Sequence, residues 1–167
     1  MQRSLGRIAI AGFLLSLVVH VLTLVYVDVA SRLPYVWALH VGMFLVFVPF
    51  AWCIRGVKMQ RYTVGDVMNG MPIWARTTVV VVFAYAIINF ILCAHLLAGG
   101  GPDIVDGQHV LSSHGRVLAH ITEGEYRLYK AYELRMFSGG WLLFYWLPGV
   151  YFLLRRERGS DPMVVRE

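Results

Sequence analysis

The chain has 167 residues, of which 58% are hydrophobic and 15% are charged, and its formal net charge is +5. Soluble domains contain roughly 45–50% apolar and about 25% charged residues, so this composition excludes a soluble domain of this size. The basic residues lie mainly at the ends of apolar blocks, where they act as orientation signals in membranes, and this argues against nucleic-acid binding. We therefore predict one integral membrane domain over residues 1–167, with the lipid bilayer as its surroundings.

Four apolar blocks predict an all-α membrane protein, a four-helix bundle of transmembrane helices. Each block is close to the roughly 20 residues that a helix needs to cross a bilayer. The predicted spans cover about 8–27, 35–54, 77–98 and 136–154. The first block exceeds the roughly 7–15 apolar residues of a signal peptide, and Asp28 follows it where cleavage needs a small residue. We therefore predict that the first block is retained as a span.

The distribution of basic residues predicts the orientation of these spans. With four spans, the two termini and the 55–76 loop share one side, and that side collects ten of the fifteen Lys and Arg residues. The positive-inside rule then places both termini in the cytoplasm and the 99–135 segment outside. We predict a multi-pass protein of the bacterial cytoplasmic (inner) membrane.

The two cysteines do not predict redox chemistry. Cys53 and Cys93 fall near opposite ends of the predicted bundle, and a disulfide needs Cα atoms within about 7 Å of each other. The sequence also contains no Cys-x-x-Cys pair, which thiol oxidoreductases of this size use.

The 99–135 segment is predicted to form a small folded unit between spans three and four. Residues 99–107 form a flexible approach, and the runs 109–111 and 116–121 form a β-hairpin in which Gly115 supplies the left-handed turn residue. Thr122 and Glu125 have the spacing of a capping box, so a helix should begin there and end at about Arg135.

This short helix is predicted to be amphipathic. Tyr126, Tyr129 and Tyr132 fall on one flank at helical spacing, while Arg127 and Lys130 fall on the other. Such a helix suits the headgroup level of a membrane. Because aromatic residues are enriched at interfaces, the tyrosine flank is a candidate interaction surface.

Three motifs in this part of the chain also resemble a known group of proteins. They are the Leu-x-x-His-Gly turn at 111–115, the Ile-Thr-x-x-Glu-Tyr cap at 121–126 and the Phe-Ser-Gly-x-Trp-x-x-Phe-Tyr run at 137–145. Residues 109–145 resemble small four-span bacterial membrane proteins of uncharacterised function. The resemblance implies the hairpin-then-span layout and implies no activity.

Two histidines inside the spans are candidate cofactor ligands. His20 and His40 lie at similar predicted depth, roughly 10 Å below the outer surface, on consecutive antiparallel helices. Two facing imidazoles are the axial ligands that a b-type haem requires. The alternative is that they form hydrogen bonds between helices, and a proton-linked role is a third reading.

The sequence favours a non-catalytic function. No Asp, Glu, Lys or Arg lies inside a predicted span, although such residues usually mark ion pathways, so a small transporter subunit is only an alternative. Ser112, Ser113 and His114 lack the Gly-x-Ser-x-Gly context of a hydrolase nucleophile. We predict an accessory protein without a cofactor or metal, which binds a membrane-protein partner or forms a homo-oligomer. A haem or metal-binding redox protein using His20 and His40 is the alternative.

Overall fold

The computed structural model describes residues 2–58 and 71–154, and within this part four helices are long and apolar enough to cross a membrane. Helix α1 covers Gln2–Leu24, the short α2 covers Val29–Arg32, and a 3-10 turn at Pro34–Trp37 leads into α3, Ala38–Lys58. Helix α4 covers Ile73–Leu96 and α5 covers Glu123–Leu154. The prediction of four helices long and apolar enough to be spans is confirmed. The basic residues within 59–70 and 155–167, on which the predicted orientation partly depends, lie outside the described residues.

Helix α5 is the central helix of the bundle. In its most apolar stretch 56% of the residues are buried, against 17–28% in the other three long helices. Its C-terminal residues Phe152 and Leu153 lie against Gly6 of α1, while Val150 packs with Ala75 of α4. Helices α1 and α4 therefore run antiparallel to α5. Phe50 near the end of α3 packs on Tyr151, so α3 runs parallel to it.

Small residues let α1 and α3 approach α5 closely. The buried face of α1 carries Gly6, Ala9, Gly12 and Ser16 at helical spacing. A Cβ at Gly12 would lie 2.3 Å from the Tyr145 ring, and one at Gly42 of α3 would lie 2.6 Å from its hydroxyl. The Tyr145 hydroxyl donates to the Leu39 carbonyl at 2.9 Å. Without a hydrophobic force between helices in lipid, such close packing is a main source of association.

The segment between α4 and α5 is a three-stranded antiparallel sheet, not the two-stranded hairpin that the sequence predicted. Strands β1 (Gly101–Val105), β2 (Gln108–Ser113) and β3 (Arg116–His120) pair in the order β1-β2-β3. The prediction of a flexible 99–107 approach is wrong, because β1 pairs along β2 from Gly101 opposite Ser112 to Val105 opposite Gln108. The β2–β3 pairing agrees with the predicted hairpin.

Both turns of the sheet use residues in the left-handed region. Gly115 has φ +77° as predicted, and His114 before it has φ +50°. Asp106 and Gly107 have φ +52° and +78°. Two consecutive positive φ values match the right-handed twist of the paired strands, and Asp-Gly is a preferred sequence for such turns.

The predicted capping box is confirmed. The Glu125 backbone N–H donates to the Thr122 hydroxyl at 3.2 Å, and the Glu125 carboxylate accepts from the Thr122 backbone N–H at 2.8 Å. The Thr122 backbone N–H and the Thr122 hydroxyl both donate to this carboxylate and hold the pKa of the Glu125 carboxyl below its usual value. The prediction of a separate amphipathic helix that ends at Arg135 is wrong, because α5 continues from the cap through the span as one helix. Its 32 residues extend about 48 Å, well beyond the roughly 30 Å hydrocarbon core.

We predict that Thr122→Ala destabilises the first turn of α5 by about 1 kcal/mol, the usual cost of losing an N-cap. Hydrogen exchange of the backbone amides at 123–126 should become several-fold faster. Thr77→Ala is the matched control, because the Thr77 hydroxyl donates to the Ile73 carbonyl within α4 and caps no helix. Unchanged exchange at 123–126 in Thr122→Ala would contradict the cap.

Candidate polar site within the bundle

His20 joins three helices at the end of the bundle that carries the sheet, which we call the sheet end. Its Nδ1 lies 2.8 Å from the Ser138 hydroxyl of α5, and its Nε2 lies 2.5 Å from the Tyr85 hydroxyl of α4. The side chain is 2% exposed. Thr23, one turn further along α1, donates to the His20 carbonyl at 2.7 Å.

The hydrogen bonds around His20 have a consistent direction. The Ser138 hydroxyl donates to the Arg135 carbonyl at 3.3 Å, so it accepts from a protonated Nδ1 of His20. The Nε2 lone pair then accepts from the Tyr85 hydroxyl. A neutral imidazole has one donor and one acceptor, and this network uses both.

A second group of bonds extends the network along α4 and α5. The Asn89 amide donates to the Arg135 carbonyl at 3.0 Å, and its oxygen accepts from the Arg135 Nε at 2.9 Å. The thiol of the buried Cys93 lies 3.8 Å from the same Asn89 oxygen. Asn89 is 2% exposed, so these bonds satisfy an amide that would be costly to bury alone.

Gly139 makes this contact possible. A Cβ at Gly139 would lie 2.4 Å from the Asn89 amide nitrogen. Asn89 reaches the α5 backbone only because position 139 has no side chain. The neighbouring Gly140 has open space where its Cβ would be.

Arg135 is a member of this site that the sequence did not predict. The sequence pattern placed it at the end of the 99–135 segment, outside the spans. Asn89, to which the guanidinium donates, lies seven residues before the end of α4, or about 10 Å along the helix. Helical spacing on α5 places Arg135 and Ser138 on adjacent turns, but only the packing of α4 shows that the pair meets Asn89.

His40, the second candidate ligand, lies in a separate aromatic cluster. Its Nδ1 accepts from the Trp141 indole N–H at 2.9 Å. Trp37, Phe44 and Phe137 surround the ring at centroid distances of 5.7–6.4 Å. His20 and His40 therefore contact different residues of α5, and in each ring the unprotonated nitrogen already accepts a hydrogen bond. These hydrogen bonds occupy the imidazole lone pairs that axial ligation of haem iron would use.

The tyrosine flank is partly used inside the protein. Tyr126 lies against the His109 ring of β2 at 4.7 Å, and Tyr132 meets Tyr26 at the end of α1 at 6.1 Å. Tyr129 contacts Tyr132 at 6.3 Å. All three side chains are half-buried. Tyr126 packs α5 against the sheet, and Tyr132 packs it against the end of α1.

Apart from Cys93, whose thiol lies against Asn89, the remaining histidines and the other cysteine do not contact this network. His95, His114 and His120 are exposed, and Cys53 and Cys93 are both free thiols. In residues 2–58 and 71–154, no group of three or more His, Cys, Asp or Glu side chains has the proximity that a metal ion needs. The chemistry of the network is hydrogen bonding between helices.

No protein-family model, curated protein or solved structure matches this chain.

We predict opposite effects for two adjacent glycines. Gly139→Ala drives its Cβ into Asn89 and should lower the unfolding temperature in detergent, because the amide loses its bonds to Arg135. The Cβ of Gly140→Ala would have no packing neighbour within 4 Å, so this substitution should be neutral or stabilising by up to about 1 kcal/mol, the usual helix-propensity gain. Equal effects of the two substitutions would show that the Asn89 contact contributes nothing to stability.

Proposed function

We propose that this chain is a non-catalytic accessory protein of a bacterial cytoplasmic membrane, which presents its sheet and the first turns of α5 outside the bilayer as a platform for a partner. The observation that carries the proposal is the presence of exposed apolar side chains on both edge strands of the sheet. Ile104 on β1 is 53% exposed, and Val117 and Leu118 on β3 are 44% and 52% exposed. The partner is a membrane protein or a second copy of the chain.

The continuity of α5 supports this proposal. The helix that carries the membrane span also carries the turns on which the sheet rests, through the contact of Tyr126 with His109. The sheet is therefore held at a fixed height and orientation above the bundle. A rigidly held surface loses less entropy on binding than a mobile one.

The edges of the sheet also favour binding. All five residues of β3 are exposed, and its outer backbone groups lack a neighbouring strand among the described residues. An exposed edge is a template for pairing with an extended segment of another chain.

The proposed orientation rests on the charges of the sequence. Ten of fifteen basic residues fall on the side of the termini, so we place the termini in the cytoplasm and the sheet outside. The network around His20 then has a structural role, because polar links between helices stabilise membrane bundles.

A photoreactive amino acid at Leu118 tests the platform in intact membranes. We expect one discrete cross-linked adduct, and an adduct of twice the chain mass would identify a second copy as the partner. The matched control is the same probe at Val81 of α4, which is 60% exposed but lies within a span.

Changing Ile104 and Val117 to Ser should remove the Leu118 adduct without changing the unfolding temperature, because both side chains are already exposed. The absence of a discrete adduct from Leu118 would overturn the proposed function. So would an adduct that survives both Ser substitutions.

The spectrum of the purified protein separates this proposal from the haem alternative. We expect no Soret band, because the lone pairs of His20 and His40 accept hydrogen bonds from Tyr85 and Trp141. His20→Ala should lower the unfolding temperature, since it removes the hydrogen bonds that join α1 to Ser138 of α5 and to Tyr85 of α4. His95→Ala, at an exposed position of α4, is the control. A Soret band lost in His20→Ala or His40→Ala would establish the redox alternative instead.

A further inference from the structure

A polar cleft opens where α1 ends at the sheet end of the bundle. It has a volume of about 470 Å³ and is lined by Tyr26, Val27, Asp28, Ser31, Arg32 and Arg127. Five of these residues lie between the end of α1 and the end of α2, and the sixth lies in the second turn of α5. The 23 residues of α1 extend about 34 Å, slightly more than a hydrocarbon core, so the cleft lies at headgroup level.

The charges in the cleft have both signs. Arg32 and Arg127 supply two guanidinium groups, and Asp28 supplies one carboxylate. Arg127 also pairs with Glu123, but this ion pair is exposed on both sides and leaves further N–H donors on the guanidinium. Asp28 uses its Oδ1 to cap α2 by accepting from the Ser31 N–H at 3.0 Å. Within residues 2–58 and 71–154, its second oxygen accepts no hydrogen bond.

We propose that this cleft binds the phosphoethanolamine headgroup of a phospholipid in the leaflet at the sheet end. The two guanidinium groups match the phosphodiester, because planar N–H donors recognise phosphate oxygens. The Asp28 carboxylate matches the primary ammonium. Tyr26 and Val27 line the side of the cleft that continues from α1, where the glycerol and the first acyl carbons would lie.

The mixture of charges selects among headgroups. A choline headgroup carries the same charges but has no N–H to donate to Asp28. A glycerol headgroup leaves the carboxylate without a cation and close to the phosphate. The lining therefore favours the amine over both alternatives.

The test is a lipid titration of the full-length protein in detergent, followed by native mass spectrometry. The probes are phosphatidylethanolamine, phosphatidylcholine and phosphatidylglycerol with identical acyl chains. We expect phosphatidylethanolamine to bind most tightly. Arg32→Gln should weaken its binding roughly tenfold, because a charge-assisted hydrogen bond is lost. Arg116→Gln, which removes one exposed charge from β3, is the matched control and should bind like the unchanged protein.

Asp28→Asn provides an independent second variant. Asparagine retains an oxygen that caps α2, so the fold is preserved, while the negative charge is removed. The preference should then change from phosphatidylethanolamine toward phosphatidylglycerol. Equal binding of the three lipids to the unchanged protein, or equal losses in Arg32→Gln and Arg116→Gln, would overturn the proposal.

Soluble glycerophosphoethanolamine distinguishes a lipid from a free ligand with the same chemistry. We expect it to compete only weakly, because it lacks the acyl chains that hold a lipid beside α1. Competition as strong as that of the lipid itself would show that the cleft takes a water-soluble phosphate ester, and the lipid assignment would be wrong.

Discussion

The hydrogen bonds of His20 are the interaction on which the arrangement of the bundle most depends. A polar side chain inside a bilayer has no water to bond with, so its partners must come from other helices. His20 bonds to hydroxyl groups of α4 and α5 at the same time. The Ser138 hydroxyl in turn donates to the Arg135 carbonyl of the α5 backbone. Rotation of any of the three helices by one residue would leave buried polar atoms unpaired. The network therefore specifies the rotation of the helices, which apolar packing specifies only weakly.

Close approach and polar bonding depend on each other in this bundle. Asn89 reaches the Arg135 carbonyl because Gly139 leaves room for it, and Tyr145 reaches the Leu39 carbonyl because Gly12 and Gly42 leave room for its ring. In both places the absence of a side chain at a glycine makes room for a polar side chain of another helix. Such pairs give lipid-embedded helices a defined geometry at distances where backbones nearly touch.

Features that depend on one stretch of sequence were predictable, and features that depend on packing were not. The four spans follow from apolar length, and the cap follows from Thr122 and Glu125 alone. Strand β1 was missed although Asp106-Gly107 is a strong hairpin signal, because the glycines before it favoured a flexible segment. Arg135 was missed because its place in the bundle is decided by Asn89, 46 residues away. The depth of His20 indicated a functional position but not whether its ring binds iron or hydroxyl groups.

The network and the cleft that we propose for a lipid headgroup are linked through two helices. Arg32 is the last residue of the short α2, which follows α1 in the chain, whereas Arg127 belongs to α5. The separation of the two guanidinium groups is therefore set by how α1 lies against α5. Two contacts fix that relation near the cleft, the bond of His20 to Ser138 and the edge-to-face contact of Tyr26 with Tyr132. Helix α5 also contacts the sheet through Tyr126, so the polar network, the cleft and the sheet all depend on the position of this one helix. The buried histidine thus connects the interior of the bundle to both surfaces on which we propose that this protein acts.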